Sequence, residues 1–347
     1  MSQVPSRSRL QRFIEGRWYS GSPGILILLA PLEWLFRLIV SMRKRRRRML
    51  GASDSKPFST PVVVVGNIAV GGVGKTPIVI ALVQWFGRQG LVAGVVSRGY
   101  GGDNRVISFV HADSDPARVG DEPVEIAQAT GCPIVVCPDR LAAVEALVRH
   151  RRVDVVLSDD GLQHYSMPRH IEIAVLSRTQ GLGNGHCLPL GPLREPVTRL
   201  RDVDYVVVAG VGPRHASLLT LQSVPSTDAG LRLCAWVNVH TGDQRELDYR
   251  FHGELVALAG IAHPSKFFSA LDSLGLDYVP QARADHHRFS AEDFGSPEAC
   301  YLMTAKDAVK CRGFAPANSW YLKIEAVLHP DMLASLLKQC RTLSHTV

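Results

Sequence analysis

Residues 61–90 run PVVVVGNIAVGGVGKTPIVIALVQWFGRQG. The four consecutive valines, Val62, Val63, Val64 and Val65, have the length and β-branching of a strand buried on both faces, as in a parallel sheet. Glycine then takes over. Gly71, Gly72 and Gly74 give a loop whose backbone reaches conformations closed to other residues, so that several N–H groups can turn inward on a chain of phosphates. With Val73 they lead to Lys75, a point charge for β- and γ-phosphates, and to the Thr76 hydroxyl, placed to ligate Mg²⁺. Pro77 has its φ already set and no N–H to lose, which suits the first turn of a helix reaching about Gly90, its N-terminal dipole facing the anion. The pattern G-x-x-x-x-G-K-[ST] is met with one departure, Ala69 at the first glycine. Strand before and helix after are the context the pattern needs, so a nucleotide-binding loop is expected in place of a chance Gly-rich turn.

The chain has 347 residues, 46% of them hydrophobic, which leaves room for two domains and a substantial core. A formal charge of +7 and a pI near 9.1 point to anionic partners: nucleic acid, phospholipid or a phosphorylated substrate. The seven cysteines are scattered without a C-x-x-C pair, which favours reduced thiols over a disulfide framework or a structural zinc site.

Residues 1–20 are polar and basic with no small-residue cleavage site, so no removable signal peptide is expected. Residues 24–40, GILILLAPLEWLFRLIV, are apolar over nearly the length of a spanning helix, but Pro31, Glu33 and Arg37 interrupt them. Arg43, Lys44, Arg45, Arg46, Arg47 and Arg48 follow. Charges are costly at the bilayer centre, whereas a helix lying in the interface can turn both Glu33 and Arg37 outward. The basic run adds about 1 kcal/mol per residue of attraction to an anionic leaflet. A monotopic membrane-associating segment over residues 1–50 is therefore expected, with a buried core helix as the competing reading. No nucleic-acid module accompanies the arginines, and no nucleic-acid partner is expected.

From Leu91 onward strand and helix patterns alternate, which implies a parallel sheet with right-handed crossovers. The expected fold is α/β: a nucleotide-binding domain over 51–223 and a smaller α/β domain over 224–347. LVAGVVS delivers Ser97-Arg98-Gly99-Tyr100-Gly101-Gly102 to a strand end, where open α/β sheets place their ligands. Gly120-Asp121-Glu122-Pro123 opens a helix through Thr130, with Asp121 the natural N-cap. VDVVLS ends in Asp159-Asp160-Gly161-Leu162-Gln163-His164, a Walker-B position that sets a carboxylate beside Mg²⁺. Adjacent carboxylates repel unless a cation is near. Residues 181–201, GLGNGHCLPLGPLREPVTRLR, are too long for a connector and carry Arg194 and Glu195 together. Later, LRLCAWVNV and DQRELDYRF read as hairpin strands, CYLMTAKDAVK and SWYLKIEAVL as strands flanking a loop, and residues 330–343 as an amphipathic helix. His286 and His287 point apart in an extended chain and lack a third ligand at metal spacing, so zinc is not expected.

The ordered set GNIAVGGVGKTP, VVSRGYGG, VGDEP, DDGLQH, GPLREP, GIAHPSKFF, ADHHRF and MTAKDAVK, following an apolar segment, resembles the tetraacyldisaccharide 4'-kinase family of lipid A biosynthesis in Gram-negative bacteria. The resemblance covers residues 24–310, with one departure: Ala305 stands where the family's T-E-K-D has glutamate. It implies a P-loop kinase peripheral to the cytoplasmic face of the inner membrane, its two domains joined by a two-stranded hinge. ATP, with Mg²⁺, would phosphorylate the 4'-hydroxyl of a tetraacylated glucosamine disaccharide 1-phosphate, the lipid A precursor, giving lipid IVA. By motif, Lys75 and Thr76 hold phosphates and Mg²⁺, and Asp159, Asp160 and Glu195 serve metal and phosphates. Asp121 acts as base toward the sugar hydroxyl, paired across the cleft with His286. Arg98, Gln163, His164, Arg194 and Lys306 are candidates for substrate phosphate or transition-state charge. A competing function is a binding-switch ATPase of the partitioning type, which also brings GGVGKT to membranes, but such proteins carry a second lysine where this chain has Val70.

Overall fold

The computed structural model describes residues 9–54, 58–103, 105–221 and 224–344. The first eight residues, the domain boundary at 223 and the side chains of Arg47 and Arg48 lie outside the described residues. Helix α1 (Arg9–Tyr19), a 3₁₀ stretch (Gly24–Leu29) and the long helix α2 (Ala30–Asp54) come first. Strands and helices then alternate: β1 (Val62–Gly66), α3 (Lys75–Arg88), β2 (Ala93–Ser97), β3 (Ser108–Val110), α4 (Pro116–Val119), α5 (Asp121–Thr130), β4 (Ile134–Val136), α6 (Arg140–His150), β5 (Val155–Asp159), β6 (Ile171–Ser177) and β7 (Tyr205–Ala209). The remainder is β8 (Ser226–Asn238), β9 (Gln244–Arg245), β10 (Leu255–Ala259), α7 (Pro264–Ser273), β11 (Val279–Ala282), β12 (Cys300–Thr304), α8 (Ala305–Cys311), β13 (Ser319–Val327) and α9 (Pro330–Ser344).

One sheet runs through the molecule in the order β11-β10-β12-β13-β8-β7-β6-β1-β5-β2-β4-β3, with β9 beside β8. Neighbours are parallel except at β3/β4, β8/β9 and β8/β13, which is the mostly parallel α/β arrangement expected. The valine run, β1, is buried at every residue between β5 and β6. Its side chains alternate. Val63 and Val65 pack with Ile78, Leu82 and Phe86 of α3, whereas Val62 and Val64 pack with Val144 and Leu147 of α6. Apolar cover on both faces is why the run shows no polar alternation.

β8 joins two parts of the sheet, a first lobe holding β1 to β7 and a second holding β10 to β13. Its first residues pair in parallel with β7, and from Gly230 onward it runs antiparallel to β13. The register jumps between Lys323 and Ile324, leaving Cys234 as an extra residue that bends this two-stranded connection. After β13 the chain returns to the first lobe: Met332, Leu336 and Cys340 of α9 join the core around α3, and Gln339 donates to the Tyr205 hydroxyl at 2.8 Å.

Four local expectations change. Residues 305–311 form α8 and not a strand, because the Thr304 hydroxyl accepts the Asp307 N–H at 3.2 Å and caps the turn. DQRELDYRF contributes only the two exposed residues of β9. Gly120 is the N-cap of α5, with φ of +92°, and Asp121 is the first helical residue. Glu33, expected to point outward, is buried against the protein, while Arg37 stays exposed. The opposite side of this segment exposes Ile27, Leu28, Leu32, Trp34, Leu35 and Leu38, and Gly24–Arg46 is long and apolar enough to cross a membrane.

Candidate active site

The loop between β1 and α3 has the shape its glycines foretold. Gly74 caps α3 at φ of +88°, a left-handed conformation that a side chain would strain, and Gly71 sits at +99°. Lys75 Nζ lies 3.3 Å from Asp160 Oδ1 and 3.4 Å from Asn67 Oδ1. Thr76 follows in the first turn of the helix. β1 and β5 pair with Val65 opposite Asp159, and this register sets both aspartates beside the loop.

The two aspartates differ. Asp159 is 1% exposed and, among the described residues, its Oδ1 has no hydrogen-bond partner. Burial, then the charge of Glu122, push its carboxyl up to about 7 although Lys75 opposes them. Asp160 accepts from Arg194 Nη1 at 3.2 Å. Burial would raise its carboxyl too, but the charges of Lys75 and Arg194 outweigh that and hold it below the ordinary value. Asp160 (φ +49°) and His286 (φ +57°) are the non-glycine residues with left-handed backbone among the described residues. Both lie in this site, where such strain is characteristically kept.

Behind the aspartates stands a buried polar wall. Glu195, 1% exposed, accepts from Gln163 Nε2 at 2.7 Å and from the Tyr165 hydroxyl, with Arg199 Nε 3.5 Å away. The same Gln163 nitrogen donates to Asn67 O at 3.0 Å, joining the wall to the phosphate loop. Arg140, 2% exposed, donates from Nη2 to Asp159 O at 2.8 Å, and its Nε and Nη1 find no partner among the described residues.

A second cluster bridges the start of α5 to residues 286 and 306. Asp121 is 5% exposed and is positioned by a close backbone approach: a Cβ on Gly120 would fall 2.8 Å from Tyr100 O, so only glycine lets the 99–102 loop lie against the start of α5. Asp121 Oδ2 lies 3.1 Å from His286 Nδ1 and 3.9 Å from Lys306 Nζ. Lys306 pairs with Glu122 at 3.0 Å and lies 3.5 Å from His286 Nε2. Burial pushes the Asp121 carboxyl up, but the hydrogen bond with His286 and the charge of Lys306 carry it below the ordinary value. The same hydrogen bond raises His286. Lys306 is raised as well, since Glu122 and Asp121 overcome its desolvation.

The structure thus brings Lys75, Thr76, Asp159, Asp160, Gln163, Arg194 and Glu195 together around the loop, and Asp121, His286 and Lys306 together beside them. Arg98 is exposed at the end of β2, where its charge opposes that of Arg140. His164 is held by its backbone, its N–H on Gly161 O at 3.0 Å and its carbonyl accepting from Arg169. Among the described residues no three His, Cys, Asp or Glu side chains converge as a metal-holding group.

Sequence reading missed Asn67, Glu122, Arg140, Tyr165 and His263. His263 Nε2 lies 3.0 Å from Gln180 Nε2 of the first lobe and 3.6 Å from where a Cβ on Gly71 would be, so the second lobe reaches the phosphate loop. The signal was present in GIAHPSKFF, to which no role attached. Arg140 left none, since it reads as an ordinary first residue of a helix.

A sequence model of the family described as Tetraacyldisaccharide-1-P 4'-kinase matches residues 25–341. The chain belongs to this family. A tetraacyldisaccharide 4'-kinase of Azotobacter vinelandii is 47% identical over 316 residues, covering 90% of this chain and 92% of the other. One from Pseudomonas putida strain W619 is 45% identical over 316 residues, covering 90% and 91%. The crystal structure of the Aquifex aeolicus family member in complex with ATP superposes with a TM-score of 0.77 at 25% identity, covering 92% of this chain and 100% of that one. Family membership across nearly the whole chain sets aside the partitioning-type ATPase.

Proposed function

We propose that this protein transfers the γ-phosphoryl group of ATP to the 4'-hydroxyl of a tetraacylated glucosamine disaccharide 1-phosphate, giving lipid IVA. The observation that carries the reading is the buried Asp121 carboxylate, held 3.1 Å from His286 of the other lobe, in a chain whose β1–α3 loop has the phosphate-binding pattern. Phosphoryl transfer needs alignment and charge neutralisation more than covalent help from the protein. The loop amides, Lys75 and Arg194 cradle the triphosphate. Asp121 accepts the proton of the sugar hydroxyl as its oxygen attacks the γ-phosphorus, the bond to the bridging oxygen breaks, and ADP leaves. Lys306 and Arg98 supply charge on the side from which the substrate phosphate approaches.

Mg²⁺ suits the donor set. A hard cation brought by ATP takes one or two carboxylates plus phosphate and water oxygens. Asp159 offers a buried oxygen without a partner among the described residues and Thr76 a hydroxyl, with Asp160 next in the chain; Glu195 is linked to the loop through Gln163. When bound, the ion neutralises phosphate charge. Glu195 is held by Gln163, Tyr165 and the buried Arg199 guanidinium, and braces the loop from behind.

Labelled ATP, Mg²⁺ and the disaccharide 1-phosphate lipid are expected to yield a bisphosphorylated lipid. Hydrolysis of ATP at a rate indifferent to the lipid would return the ATPase reading.

The acceptor resides in a bilayer, and the exposed apolar face of Gly24–Arg46 is the means of meeting it on the cytoplasmic surface of the inner membrane, lying in the interface with its basic end on anionic headgroups. Burying one large apolar side chain contributes about 1.5–3 kcal/mol. Replacing Leu32, Trp34, Leu35 and Leu38 together by serine is therefore expected to weaken binding to anionic vesicles by at least about a hundredfold. Unchanged co-sedimentation would remove the anchor.

A further inference from the structure

The inward stripe of the 3₁₀ stretch and α2 includes Leu26 and Phe36, and between them sits Glu33, 7% exposed. A buried carboxylate is costly unless its oxygens are satisfied, and an aliphatic residue would serve an apolar stripe better. Glu33 is fully satisfied. Oε1 accepts the buried N–H of Cys187 at 2.9 Å, and Oε2 lies 2.9 Å from His186 Nδ1.

Those partners begin a short hydrogen-bonded turn that ends on the phosphate loop. Leu193 N donates to His186 O at 3.1 Å and Leu188 N to Leu193 O at 2.9 Å. Across the turn, Val70 N donates to Pro192 O at 2.8 Å, Arg194 N donates to Ile68 O at 2.6 Å, and Ala69 bridges to Leu193. Two steps of backbone pairing therefore separate the Glu33 carboxylate from residues 68–70. A second contact falls on the same wall: Lys44, further along α2, lies 3.2 Å from Asp202 Oδ2 and 5.6 Å from the centroid of the Tyr165 ring, whose hydroxyl donates to Glu195.

We infer that Glu33 is a positioning residue for the phosphate loop, tying the exposed apolar helix through the 186–194 turn to the backbone that carries Lys75. The inference rests on the nucleotide-binding reading of that loop. Glu33 acts through His186 and Cys187. It holds the 186–194 turn against which Ile68, Ala69 and Val70 are laid, so that the shape of the cradle depends on how this helix packs against the protein.

The test uses the full chain in mixed micelles and in anionic phospholipid vesicles, with three readouts: affinity for a non-hydrolysable ATP analogue, amide exchange at Val70 and Arg194, and vesicle co-sedimentation. Glu33→Ala is expected to weaken analogue binding and speed exchange at both amides by about tenfold, the scale of one buried donor left unpaired, with co-sedimentation little changed. Glu33→Gln keeps an acceptor for Cys187 N–H and is expected to stay within about threefold of the parent. Trp34→Ala, on the exposed face, is expected to do the reverse, weakening co-sedimentation alone.

Wild-type affinity and exchange in Glu33→Ala, or loss of membrane binding alone, overturns the inference. If that variant does not fold, His186→Ala decides in its place: faster exchange at Val70 supports the tie, and unchanged exchange refutes it. Failure of the parent chain to bind the analogue would refute the loop's reading instead, and exchange at Val70 would still judge the tie by itself.

Discussion

Asparagine at position 121 is expected to lower kcat by about 10²- to 10⁴-fold, the usual contribution of a positioned proton acceptor, while affinity for an ATP analogue changes by less than about threefold. The asymmetry follows from position. Asp121 belongs to the cluster between the lobes with His286 and Lys306, whereas Lys75 and Arg194, proposed to cradle the triphosphate, meet at Asp160 instead. Asparagine preserves shape and one acceptor but cannot take a proton. His286→Ala is expected to act in the same direction by releasing the carboxylate from its orienting partner. Comparable losses of ATP affinity in both variants would reassign the two residues to nucleotide binding.

The pair also makes a pH signature with a definite sign. Asp121 is depressed below 3.8, so its contribution to holding the lobes is present above about 3.8 and disappears as pH falls through the depressed value. His286 is raised above 6.5, so its contribution is complete below about 6.5 and is lost as pH rises through the raised value. Lys306, charged throughout, repels the protonated ring and moderates the effect. The difference in melting temperature between the parent and His286→Ala is therefore expected to be largest between about pH 4 and 6.5 and to shrink on the alkaline side. A difference that grows with pH would mean that the ring is neutral when it meets Asp121.

How much of this was legible in the chain depended on range. The phosphate loop, Lys75 and Thr76 announced themselves because strand, glycines and helix are contiguous, and β5 ending in Asp159-Asp160 did so for the same reason. The meeting of Asp121 with His286, 165 residues apart, came from likeness to a family and from no spacing rule. Periodicity records which face of an element is apolar but not which element lies against it. Glu33 therefore read as a charge to be turned outward, when its partners are 153 and 154 residues away. Arg140 was silent on the same grounds, and α9 gave an amphipathic pattern without any indication that it returns to the first lobe.

Lys75→Met separates two duties of one ammonium group, one proposed and one seen in its contacts. Toward the nucleotide its proposed role is a fixed positive charge in the cradle, and losing such a group is expected to lower kcat/KM by about 10²- to 10³-fold, with weaker binding of the ATP analogue as well. That combined loss distinguishes it from the Asp121 variant. Toward the protein, Lys75 neutralises Asp160 at 3.3 Å, a residue already strained at φ of +49°. Without Lys75 the Asp160 carboxyl retains Arg194 alone at 3.2 Å and should titrate closer to its ordinary value. Removing that carboxylate too, in Lys75→Met/Asp160→Asn, takes away a buried charge left with half of its compensation, so the melting temperature is expected to recover relative to Lys75→Met while activity stays lost. Calorimetry and turnover measured on the same preparations check both halves. If the double variant regains turnover along with stability, Lys75 acts through Asp160 and not on the phosphates.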